Sequence, residues 1–273
     1  MTRARRNGTR IALLAGLAAA SLALAACSSA SPEASDAAGG DEFGLLQGGT
    51  LTVATEGTYR PFSYHEGGSG ELVGYDVDVA RAVAEKLGLE IEFQETQWDA
   101  IFAGLEAGRF DVIANQVSIT PEREQSYLFS TPYTVSPGVI VVRDGDTSIA
   151  GFDDLDGKTT AQSLTSNWYT LAEEHGANVE AVEGWAQAVA LLEQGRVDAT
   201  INDRLTYLDY VQTDGGEGLA VAAETDDPSL SAFAFTKDKQ ALVDAVDAAL
   251  EELRADGTLA KIGEQYFGED VSQ

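Results

Sequence analysis

Two phrases, Leu105-Glu106-Ala107-Gly108-Arg109-Phe110-Asp111-Val112 and Leu192-Glu193-Gln194-Gly195-Arg196-Val197-Asp198-Ala199, follow one template at two places in the chain. In each, an apolar helical run stops at a glycine, the residue that most readily takes the left-handed conformation closing a helix, and an apolar strand opens just beyond it. A chain that turns the same helix-to-strand corner twice is confined to two related α/β lobes. The flanking segments agree. Leu51–Ala54, Val77–Leu87, Ile91–Phe93, Ala100–Leu105 and Val112–Ala114 alternate strand with helix, and that βαβ rhythm requires parallel sheets. The rhythm restarts after Gly138–Val142 with a strand near Thr159–Ala161, a helix at Ser166–His175, a strand near Val179–Val182, a helix at Trp185–Glu193 and a strand at Ala199–Ile201. A last strand, Ala232–Phe235, and helices over Asp238–Ala255 and Thr258–Phe267 have no lobe of their own and are expected to return to the first, so that the chain crosses between lobes twice.

The amino terminus has a different composition. Arg3, Arg5, Arg6 and Arg10 precede an apolar run from Ile11 to Ala26, too short for a membrane span and arranged like an export signal. Leu24-Ala25-Ala26-Cys27 reads as a lipobox, with cleavage before Cys27 and a lipid on its thiol. Cys27 is the chain's single cysteine, so neither an internal disulfide nor a cysteine metal cluster is available to it. Removing residues 1–26 takes away four arginines and no acid, which leaves 13 basic against 45 acidic residues and a formal charge of −32. Such a surface repels nucleic acid and keeps an exported protein soluble. The expected organisation is a signal peptide at 1–26, a lipidated cysteine and flexible tether at 27–49, lobe 1 at 50–138, lobe 2 at 139–232, and a return to lobe 1 at 233–273.

Several residues suit a ligand that carries both a carboxylate and an ammonium. Arg123 follows Thr120 and Pro121, a capping residue and a favoured first helical residue, which sets a guanidinium beside free N–H groups; an ordinary surface arginine after a capped turn fits the same pattern. Asp203 lies past the strand Ala199–Ile201, at the end where open α/β sheets place ligands, where it can accept from an ammonium or cap the next helix. Ser163-Leu164-Thr165-Ser166-Asn167 follows the strand Thr159–Ala161 and can either face the cleft or cap a helix. Tyr59, Phe62 and Trp98 can wall a small pocket or belong to the core. The two histidines, His65 and His175, stand in no metal-ligand spacing, and no nucleophile elbow or phosphate loop occurs, so no catalytic residue, metal or cofactor is expected.

Glu56-Gly57-Thr58-Tyr59-Arg60-Pro61-Phe62, Gly74-Tyr75-Asp76-Val77-Asp78-Val79-Ala80 and Ser118–Arg123 together resemble the family 3 extracellular solute-binding proteins of ABC importers, over residues 50–267. The resemblance implies an α/β, two-lobed periplasmic-binding-protein type II fold. In it, each lobe is a mostly parallel sheet flanked by helices, the hinge has two strands, and the ligand lies in the cleft. Carried over by position, the carboxylate-binding arginine falls on Arg123 with Ser118 beside it, the ammonium-binding aspartate on Asp203, the aromatic lid on Tyr59 and Trp98, and the start of the second-lobe helix on Thr165. Glu95-Thr96-Gln97-Trp98-Asp99-Ala100, Asn115-Gln116-Val117, Ala161–Asn167 and Thr200–Asp203 are similar to the cystine- or cysteine-binding members. That likeness adds Asn115, Gln116, Val117, Ser163 and Ser166 to the ligand contacts, with Glu56 set to meet a second ammonium of cystine, a role that a lysine or arginine ligand would use too. It implies a monomeric, membrane-anchored receptor outside the cytoplasm that closes on a small amino acid and docks on a permease. Glutamine, histidine, lysine and arginine are the alternative ligands. A dehydratase is the enzymatic alternative on the same fold, and a sensory module the third.

Overall fold

The computed structural model describes residues 42–213 and 215–273, all within a unit that spans 37–273. The expected signal peptide, the lipobox at Cys27 and the tether as far as residue 41 lie outside the described residues.

The first lobe opens with β1 (Thr50–Thr55), then β2 (Thr58–Tyr59), β3 (Ser63–His65), β4 (Leu72–Val73), α1 (Tyr75–Lys86), β5 (Glu90–Glu95), α2 (Trp98–Glu106), β6 (Val112–Ser118), α3 (Pro121–Ser126), β7 (Tyr127–Phe129) and β8 (Thr134–Ser136). The second lobe holds β9 (Gly138–Arg143), β10 (Thr159–Gln162), α4 (Asn167–Glu174), β11 (Asn178–Ala181), α5 (Trp185–Glu193), β12 (Ala199–Asp203), α6 (Arg204–Thr213) and β13 (Leu219–Glu224). The chain then returns through β14 (Ser229–Thr236) and ends in α7 (Gln240–Ala255) and α8 (Thr258–Phe267).

Each lobe has a parallel core. In the first, β5, β1 and β6 run parallel, and the returning β14 joins β6 antiparallel and carries β7 and β8. In the second, β11, β10 and β12 run parallel, and β9 joins β12 antiparallel with β13 beyond it. The two crossings are therefore short, Pro137 on the way out and 225–228 on the way back. The returning strand starts at Ser229, upstream of the apolar run that marks it in the sequence, because Ser229 and Ser231 continue the ladder to Ser136, Thr134 and Ser118.

Apolar clusters lie on both faces of both sheets. Leu242, Val246, Leu250 and Leu253 of α7 repeat at helical spacing and pack with Val79 and Val83 of α1 on one face of the first sheet, while Ile101 and Leu105 of α2 cover the other. In the second lobe, Ala188, Val189 and Leu192 of α5 cover one face, and Ala172 of α4 with Leu155 the other. Each such side chain removed from water contributes about 1.5–3 kcal/mol before the entropy cost of ordering it. Phe62 belongs to this interior rather than to a pocket wall: it is 0% exposed, its ring centroid 5.0 Å from that of Tyr59.

Candidate functional site

In open α/β sheets the strands' carboxyl ends, where helices begin, leave a crevice that no main-chain ladder fills. Here the two lobes bring such ends together around a cavity of about 310 Å³, at the small end of the ~300–1,000 Å³ typical of ligand pockets. Of the expected site residues, Glu56, Tyr59, Trp98, Asn115, Gln116, Ser163 and Ser166 line it. Ser118, Arg123, Thr165 and Asp203 do not; they lie around it, in contact with its walls or next to them in sequence. Val117 does not either, and it is no ligand contact through its side chain: 0% exposed, it packs into the apolar cluster of Ile101 and Leu105 on the far side of the strand.

The floor is made by an irregularity in β6. Between Ala232 and Ala234 of β14, β6 advances from Val117 to Ile113, so it carries extra residues and bulges. Gln116 takes φ 48°, the one positive value at a non-glycine among the described residues. Asp76 of α1 holds it there, accepting from the Gln116 backbone N–H at 2.7 Å and from Nε2 at 2.6 Å. Burial lifts the Asp76 carboxyl to about 7, against the pull of those two bonds. Asn115, one step back, donates from Nδ2 to Glu56 Oε2 at 2.8 Å, and its Oδ1 accepts from the Glu56 N–H at 2.9 Å. Burial is also the main cause that raises Glu56 to about 7.

Arg123 sits behind the wall. Thr120 Oγ1 accepts from the Arg123 backbone N–H at 3.3 Å, so the expected cap is made and uses that donor. The half-buried guanidinium lies 5.3 Å from the ring centroids of both Trp98 and Phe102. It donates to the carbonyl of Ser118 at 2.9 Å and, across the cleft, to that of Thr165 at 3.1 Å. No carboxylate pairs with it among the described residues, and burial lowers it to about 10. Asp203 is 4% exposed, and its Oδ1 accepts from Ser136 Oγ at 2.6 Å and from the Leu205 N–H at 2.8 Å. It therefore caps α6 at the hinge. Burial raises it to about 6 against those two bonds, and no cation pairs with it among the described residues.

Other bonds cross the cleft. Tyr59 Oη donates to Asn202 Oδ1 at 2.9 Å and lies 3.1 Å from Thr206 Oγ1; Thr165 Oγ1 donates to Asp99 at 3.2 Å; Ser118 Oγ donates to Asn167 Oδ1 at 3.3 Å. Ser166 caps α4, accepting from the Tyr169 N–H at 3.0 Å. The lining also includes Asn167, from the segment expected to face the cleft or cap a helix, and residues the sequence reading left out of the site, among them Gln162, Glu183 and Asn202. The rule that placed Asp203 could have found Gln162 and Asn202, since both stand at the carboxyl ends of strands in the second sheet.

A molecule of two α/β lobes joined by short crossings, with a polar cavity between the carboxyl ends of its sheets, is built to enclose a small solute. Residues 51–269 match the Bacterial extracellular solute-binding proteins, family 3, and the chain belongs to that family; it is a binding protein and not an enzyme. It is similar to the L-cystine-binding protein TcyA of Bacillus subtilis, 49% identical over 254 residues that cover 92% of this chain and 94% of that one. It is also similar to the L-cystine solute receptor of Neisseria gonorrhoeae in its unliganded open conformation, 46% identical with a TM-score of 0.58 over 86% of this chain and 97% of that one. An ancestral arginine-binding protein bound to glutamine is 36% identical, with a TM-score of 0.76 over 82% of this chain and 100% of that one.

Proposed function

We propose that the chain is the substrate-binding lipoprotein of an amino-acid ABC importer. In this reading it is a monomer anchored outside the cytoplasm through Cys27, captures L-cystine by lobe closure and delivers it to a membrane permease. One observation carries the choice of an amino acid as ligand. Around a single cavity stand charges of both signs with no ionic partner among the described residues: the guanidinium of Arg123, and the carboxyls of Glu56 and Asp203. Unpaired charges out of water are costly, and an amino acid supplies both missing counter-charges at once.

In this reading the ligand carboxylate replaces the carbonyl of Thr165 as acceptor for Arg123, a bidentate geometry that guanidinium suits better than ammonium. Asp203 and Glu56 meet ammonium groups. Ser118 sets the edge between the two, and Tyr59 and Trp98 close over the apolar middle of the ligand. The Bacillus and Neisseria relatives named for cystine support that ligand over the alternatives. The permease and the lipid anchor rest on the family and on the sequence around Cys27.

Calorimetric titration with cystine, cysteine, glutamine, histidine, lysine and arginine tests the reading, with mass analysis of the ligand afterwards. Cystine is expected to bind most tightly and to be recovered unchanged. Arg123→Ala is expected to weaken it by about 2–5 kcal/mol, because the ligand carboxylate is then enclosed without its partner. Tighter binding of another amino acid, or full affinity in that variant, refutes the assignment.

A further inference from the structure

The second lobe's wall carries a carboxylate that nothing above uses. Glu183 stands in the turn before α5, lines the same cavity as Glu56, and has neither a hydrogen bond nor an ion pair for its carboxylate among the described residues. Glu56 belongs to the first lobe and Glu183 to the second, so closure of the cleft sets two acids against one space. After burial and the charge of Asp99, the charge of Glu183 is a further cause of the raised Glu56 pKa, which places the two within electrostatic reach.

A second observation points to a ligand there. Three side chains of the lining hold a buried polar atom without a partner among the described residues: Gln116 Oε1, Trp98 Nε1 and Gln162 Nε2. They are 7%, 8% and 3% exposed. Interiors rarely leave such atoms unpaired, and an unfilled site is one of the few reasons they do. The orientation of Gln116 is fixed by its Nε2, which donates to Asp76 and Thr134, so its free atom is an acceptor. The Oε1 of Gln162 accepts from Thr160 Oγ1, so its free atom is a donor, and the indole N–H of Trp98 can only donate. Acceptors on Glu56, Glu183 and Gln116 with donors on Trp98 and Gln162 form the complement of one ammonium and one carboxylate. Arg123 and Asp203, which lie outside this lining, are left for another such pair.

We propose that the cavity holds the second head of a two-headed amino acid, and that Glu183, closing with Glu56 on its ammonium from opposite lobes, selects such a ligand over a one-headed one. The inference rests on the cystine reading and names the residue that makes it specific. A ligand with a single ammonium leaves Glu56 and Glu183 in the closed cleft without a counter-charge, so that ionising both costs energy and opposes closure. An ammonium between them turns the same pair into a bond across the cleft.

The probe is mono-N-acetyl-L-cystine, which keeps the length and both carboxylates of cystine but loses one ammonium. Dissociation constants for it and for L-cystine are measured with the wild type and with Glu183→Gln, an exposed position where the amide fits without disturbing the core. The wild type is expected to bind cystine about tenfold or more tighter than the acetylated ligand, and the variant to narrow that ratio to about threefold or less. An undiminished ratio in the variant overturns the subsite and leaves the cystine reading standing. Failure of the wild type to bind cystine at all overturns both.

Discussion

In the proposed reading, Glu56 and Asp203 link ligand capture to pH. Burial holds both carboxyls above their ordinary values of 4.5 and 3.8, at about 7 and about 6. The folded, ligand-free protein therefore keeps protons that the unfolded chain has released. Their contribution to stability is full below the ordinary carboxylate pKa and is lost as pH rises through about 6 to 7. A bound ammonium favours the ionised forms, so the sign reverses for the complex. Thermal melts from about pH 5 to about pH 8 should show the free protein losing stability while the cystine-induced rise in Tm grows. A rise that does not vary with pH rules out these groups as ammonium partners. Much at this scale was legible. The cap on Arg123, the placement of Glu56 after β1, and Asn115 and Gln116 in the floor all followed from local residue patterns or family likeness. The orientation of Asp203 did not follow, because a strand-end aspartate serves a helix N–H and a ligand equally well, and Ser136, far away in sequence, tips the choice in this structure.

At the scale of elements, the helices with one apolar stripe were readable along their length, whereas the one with two was expected only as the helix that Asp203 could cap. α5 and α8 have the boundaries their periodicity predicts. The extent of α6 escaped because Leu205 and Leu208 pack into the first lobe's core while Tyr207 and Tyr210 pack into the second's, so apolar residues occur around its circumference and no single period stands out. The bulge in β6 was equally hidden, since it depends on how many residues of β14 oppose it. Gly138, the first residue of β9, ties the hinge to the site. A methyl group there would lie 2.4 Å from Cζ3 and 2.6 Å from Cη2 of Trp168, a ring that lines the cavity. Gly138→Ala is therefore expected to cost about 1–3 kcal/mol, divided between folding and binding according to how far Trp168 moves. Urea unfolding and cystine titration of the same variant measure the two parts. No change in either means that the ring yields freely and that the hinge glycine plays no part in the site.

For the whole molecule, the balance between open and closed states follows from what crosses the cleft. Hydrogen bonds such as Tyr59–Asn202, Thr165–Asp99 and Ser118–Asn167 contribute about 0.5–1.5 kcal/mol each at most, and less where water competes. Against them stand the unpaired charges of Arg123, Glu56 and Asp203, which closure keeps from water. Without a ligand the cost of those charges offsets part of what the bonds contribute, so the open state is expected to be populated. A ligand that neutralises both sets of charges shifts the equilibrium by its differential affinity for the closed form, and about 5.5 kcal/mol suffices to move it from 1:99 to 99:1. Small-angle scattering should therefore show a smaller radius of gyration on addition of cystine. Arg123→Ala should reduce that compaction at a fixed cystine concentration, because the ligand carboxylate then opposes closure instead of driving it. Identical scattering with and without cystine, at concentrations where calorimetry reports saturation, means that binding does not close the lobes and that the charges around the cavity are balanced by other means.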